Sequence, residues 1–90
     1  MNAACFVGID VSQDQFDVGV RPGTGFTILH DESGIMTIME RLQQLRPALI
    51  VLEATGGLEV PLTGALAAAG LPVVAINPRQ VRDFARATGQ

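Results

Sequence analysis

Cys5-Phe6-Val7-Gly8-Ile9-Asp10-Val11 decides the fold: it is a short, almost continuous apolar run carrying a single acid. Leu49-Ile50-Val51-Leu52-Glu53 repeats the pattern, again with an acid at its end. Such runs suit central strands of a sheet covered on both faces. After the first run, Ser12-Gln13-Asp14-Gln15 is a polar break, and Phe16-Asp17-Val18-Gly19-Val20 alternates apolar with polar, as a half-exposed antiparallel strand does. Arg21-Pro22-Gly23-Thr24-Gly25 has turn chemistry, and Phe26 to His30 reads as a third strand.

The second run is flanked by helical patterns. Ile35, Ile38, Met39, Leu42 and Leu45 repeat at helical spacing, with Asp31 and Ser33 as caps and Pro47 as the stop. Thr55-Gly56-Gly57 is a tight loop. Leu58 to Ala69 reads as a helix with Pro61 in its first turn and Gly70 at its end. Pro72-Val73-Val74-Ala75-Ile76 is the last strand. Asn77 then caps a third helix, with Pro78 at its first position and Gln80 completing a capping box. The order is β-β-β-α-β-α-β-α, and right-handed crossovers place the fourth strand beside the first and the fifth beyond it. The expectation is an α/β fold: a mixed five-stranded sheet of order 3-2-1-4-5, helices on both faces, in the ribonuclease H-like arrangement.

Ninety residues make one small domain with a modest core. Hydrophobic residues are 48%, charged residues 17%, and mean hydropathy is +0.34, which excludes a disordered tail. Six Arg, no Lys and nine acids give a net charge of −3, so the surface is not a general nucleic-acid coat. A nucleic-acid role must rest on a local patch or on metal ions. The lone Cys5 excludes an internal disulfide framework and suits a reducing compartment. No run is long enough to span a membrane, and Asp10 interrupts any signal-like start. A cytoplasmic domain is expected.

Asp10 and Glu53 lie near the carboxyl ends of strands expected to be parallel neighbours. That edge is where open α/β sheets bind ligands. Two converging acids repel unless a divalent cation with hard oxygen ligands stands between them, and Thr55-Gly56-Gly57 would let backbone approach a phosphate. The plainer reading is two solvated acids at strand ends.

Three blocks carry a resemblance. Gly8-Ile9-Asp10-Val11-Ser12-Gln13-Asp14, Val51-Leu52-Glu53-Ala54-Thr55-Gly56-Gly57 and Asn77-Pro78-Arg79-Gln80-Val81-Arg82-Asp83-Phe84-Ala85-Arg86-Ala87-Thr88-Gly89 resemble, in order, the amino-terminal part of the DEDD transposases. These are the recombinases of the IS-110 insertion-sequence family and their pilin-inversion relatives. The resemblance implies a RuvC-like domain that cleaves and transfers DNA strands, with four acids binding two Mg²⁺ (or Mn²⁺) ions. Asp10 would be the first acid and Glu53 the second, as catalytic metal ligands. The family's third and fourth acids follow the Ala-Thr-Gly string, and the 90 residues contain neither. The family's second domain, with its proposed nucleophilic serine, is also absent, so the chain is expected to be a truncated domain, inactive alone. Gln13 stands where the family usually has Lys.

Arg79, Arg82 and Arg86 share a helix face and would form a phosphate-binding row for DNA or for the family's guide RNA, or else a solvated face paired with Asp83. His30 reads as a surface strand end, Cys5 as a small core residue, and Asp14 and Asp17 as solvent-facing, with a metal outer-shell role for Asp14 as the alternative. Ser12 reads as a turn stabiliser, and Met36 and Met39 as core or interface filler. Two other classes compete. An actin or sugar-kinase type ATP-binding domain shares the opening order, but its phosphate loop normally has Gly where Val11 stands. A non-catalytic dimerisation module would use the apolar surface left by truncation, giving a homo-oligomer.

Overall fold

The computed structural model describes residues 4–54 and 56–76. In chain order these form β1 (Phe6–Val11), β2 (Gln15–Arg21), β3 (Phe26–Leu29), α1 (Glu32–Leu45), β4 (Leu49–Glu53), α2 (Val60–Ala68) and β5 (Val73–Ile76). The helix read from Asn77 lies outside the described residues. The five strands make one mixed sheet of order β3-β2-β1-β4-β5, as expected. β1, β2 and β3 pair antiparallel, while β1 pairs with β4 and β4 with β5 in parallel.

The core lies on one face of this sheet. Val7, Ile9 and Val11 of β1 align with Val20, Val18 and Phe16 of β2, and Val7 and Ile9 with Ile50 and Leu52 of β4. All but the half-buried Val20 are fully buried. Ile38 and Leu42 of α1 and Leu62 and Leu66 of α2 join them in one cluster, so both described helices cover this face. The apolar runs suggested strands covered on both sides. In the structure β1 instead alternates: Phe6, Gly8 and Asp10 point to the opposite face and are exposed.

Local chemistry explains where α1 begins and ends. The Asp31 carboxylate accepts from the Gly34 amide at 2.7 Å, making Asp31 rather than Ser33 the cap. Gly34 is required for packing: a Cβ there would drive into the Leu29 carbonyl. The helix stops at Arg46, which takes the left-handed conformation (φ 53°) and donates its amide to the Leu42 carbonyl at 2.9 Å. α2 is shorter than the sequence pattern suggested, because Leu58 and Glu59 belong to the turn that leads into it. No helix among the described residues is long and apolar enough to cross a membrane.

Candidate metal centre at the ends of β1 and β4

Asp10 occupies the penultimate position of β1 and Glu53 the last of β4. The parallel register pairs Ile9 with Leu52, so one step further Asp10 runs alongside Glu53. Both side chains emerge on the face away from the core. They line a shallow depression of about 270 Å³ together with Gly8, Ile9, Asp17, Val51 and Ile76. The structure thus brings the two sequence-derived acids to the same carboxyl edge. Asp10 is exposed and Glu53 half-buried.

Asp17 is the acid that sequence reasoning passed over. It faces solvent as expected, but the solvent face is also the face of the site. The antiparallel register sets it directly opposite Asp10. Its carboxylate is engaged locally: Thr27 Oγ1 donates to Oδ1 at 2.7 Å, and Gln15 Nε2 donates to both oxygens at 3.2 and 3.3 Å. Asp17 therefore adds negative charge to the depression while its own lone pairs are occupied. Among the described residues no group of three His, Cys, Asp or Glu side chains is arranged to hold an ion. Asp10 and Glu53 fit a divalent cation as part of a ligand set: their oxygens are hard donors at an open edge, where water can complete the shell.

The flanks of the site are pinned by backbone and turn contacts. After β1, Ser12 Oγ donates to the Gln15 carbonyl at 2.9 Å and accepts from its amide at 3.2 Å, the turn role expected of Ser12. His30 does more than the surface strand end expected of it. It is half-buried, stacks on Phe16 with ring centroids 4.3 Å apart, and its Nδ1 donates to the Ser12 carbonyl at 2.6 Å. After β4, the Ala54 amide donates to the Ile76 carbonyl at 2.7 Å. Gly56 (φ 64°) and Gly57 (φ 99°) then turn the chain through left-handed conformations that side chains with a Cβ resist. Cys5 is half-buried and free, Met39 is half-buried, and Asp14 and Met36 are exposed. Arg79, Arg82 and Arg86 lie outside the described residues.

Residues 7–90 match the family model described as Transposase, that of the DEDD transposases of IS-110 type. The chain belongs to this transposase family. Among solved structures, a Thermus thermophilus RuvC structure is similar, with a TM-score of 0.56 and 22% sequence identity. The match covers 87% of the transposase chain and 64% of the RuvC chain. This likeness shows a shared fold, RuvC-like and ribonuclease H-like. No curated protein matches the transposase chain. The family match runs through the closing block read in the sequence, which has no counterpart in the actin and sugar-kinase pattern. No observation remains in favour of the ATP-binding reading.

Proposed function

We propose that this transposase domain supplies Asp10 and Glu53 as two of the carboxylates of a divalent-metal site for DNA strand cleavage and transfer. The observation that carries the reading is the parallel β1–β4 pairing, which sets both acids at one carboxyl edge over one depression. Mg²⁺ or Mn²⁺ bound there would stabilise the attacking and leaving oxygens of phosphoryl transfer. The protein's own part is placement. The two strands hold the acids side by side through their ladder, and the exposed Asp10 can meet an ion without disturbing the core. Asp17, held by Thr27 and Gln15, deepens the negative potential that draws a cation in.

Two carboxylates leave most of an octahedral shell to water and to other donors. The four-acid pattern assigns those donors to residues beyond the described ones, so the 90-residue chain alone is not expected to cut DNA. DNA is the proposed substrate, with Arg79, Arg82 and Arg86 as phosphate contacts to DNA or a guide RNA.

The test is strand cleavage by the complete transposase carrying this domain. Asp10→Asn and Glu53→Gln should each lower cleavage at saturating Mg²⁺ by about 10³-fold, the rate equivalent of several kcal/mol of lost charge stabilisation, with DNA binding retained. Cleavage within about threefold of wild type in either variant would remove that acid from the site; an effect that small is under 1 kcal/mol.

A further inference from the structure

We infer that Glu59 is a positioning residue: its buried carboxylate clips the glycine turn that follows Glu53 and thereby sets how Glu53 is presented at the strand edge. This rests on the reading of Glu53 as a metal ligand. Glu59 is the buried charged side chain among the described residues, only 6% exposed. Burying a carboxylate is costly unless hydrogen bonds compensate it. Its Oε1 accepts from the backbone amide of Gly57 at 3.3 Å. The same turn is closed by the Val60 amide donating to the Gly57 carbonyl at 3.2 Å. Gly57 is thus held at both its amide and its carbonyl, in a conformation it would not keep without constraint (φ 99°).

The other end of Glu59 is anchored in α2. Its carbonyl accepts from the Thr63 amide at 2.9 Å and from Thr63 Oγ1 at 2.8 Å. The neighbouring Leu62 and Leu66 are fully buried in the core. One side chain therefore ties a packed helix to the mobile-prone glycine pair. On the far side, Ala54 is bonded to Ile76. Glu53 lies between these two tethers. A glycine turn left unclipped has many accessible conformations, so the last residue of β4 would lose a fixed direction. Glu59 is also chemically suited to the place: a negative side chain at the start of a helix is favoured by the helix dipole.

The test uses the 90-residue chain with Glu59→Gln, which keeps an acceptor of the same reach, Glu59→Ala, which removes it, and Glu59→Asp, which keeps the charge but falls short. Amide hydrogen exchange and ¹H–¹⁵N spectra are recorded well below each variant's unfolding temperature, then Mn²⁺ is added. In Ala and Asp variants the Gly57 amide should exchange at least tenfold faster and the Glu53 and Ala54 resonances should move, with Gln close to wild type. Mn²⁺ affinity at Glu53 should fall about tenfold in Ala and Asp, as when a residue supporting a ligand is lost, and recover in Gln. A role confined to stability would lower the unfolding temperature and leave these readouts unchanged, which would overturn the inference. If Ala fails to fold, Asp decides in its place. If the wild-type chain takes up no Mn²⁺, the metal reading fails, and the Gly57 exchange and Glu53 shifts still decide whether Glu59 holds the turn.

Discussion

Asp10 and Asp17 face each other across an antiparallel pair, and Glu53 lines the same depression. Like charges directly opposite each other in a sheet cost a few tenths of a kcal/mol. The domain tolerates this at the one place where a cation would relieve it. Asp10→Asn should therefore stabilise the metal-free domain at low salt, by about 0.2–1 kcal/mol. Added Mn²⁺ should raise the unfolding temperature of wild type, because a ligand that binds only the folded state stabilises it, and leave Asp10→Asn unmoved. Thermal denaturation with and without Mn²⁺ reads both signs at once. A destabilised Asp10→Asn domain in metal-free buffer would mean that Asp10 serves the fold instead of the site.

Among the elements, α1 shows where local propensity and packing oppose each other. Alanine is the better helix former by about 1 kcal/mol, so propensity alone favours Gly34→Ala. The Cβ would however meet the Leu29 carbonyl at the end of β3. Overpacking of this kind costs about 1–3 kcal/mol, so the substitution should destabilise, as chemical denaturation can measure. The elements also show how much was legible in the sequence. The strand order followed from two apolar runs, a meander and right-handed crossovers, and Asp31, Pro61 and Gly70 marked helix ends where caps and breakers act. Which face of β1 would be covered was not legible. Phe6 and Gly8 look as apolar as Val7 and Ile9, and only the placement of both described helices separates them. Asp17 was legible as solvent-facing but not as Asp10's neighbour, since that requires the β1–β2 register. Glu59 gave no signal, because an acid's burial depends on a turn and a helix coming together in space.

The whole molecule is a sheet with its described helices on one face and its acids on the other. That division separates stability from chemistry. Val7, Ile9, Ile50, Leu52 and the helix leucines make a dry core. The opposite face, with Asp10, Asp17 and Glu53 at one edge and the exposed Phe6, Leu49 and Val74 elsewhere, is free to meet ions and partners. Membership in the transposase family gives that face its proposed purpose, and the parallel β1–β4 pairing gives it geometry. The most direct test titrates Mn²⁺ into isotope-labelled protein and follows paramagnetic broadening of backbone amides, with Asp10→Asn as control. Broadening confined to the residues around Asp10 and Glu53, and lost in Asp10→Asn, is the predicted result. Uniform or absent broadening in the folded wild-type domain would contradict the claim that these two strand ends form a metal-binding pair.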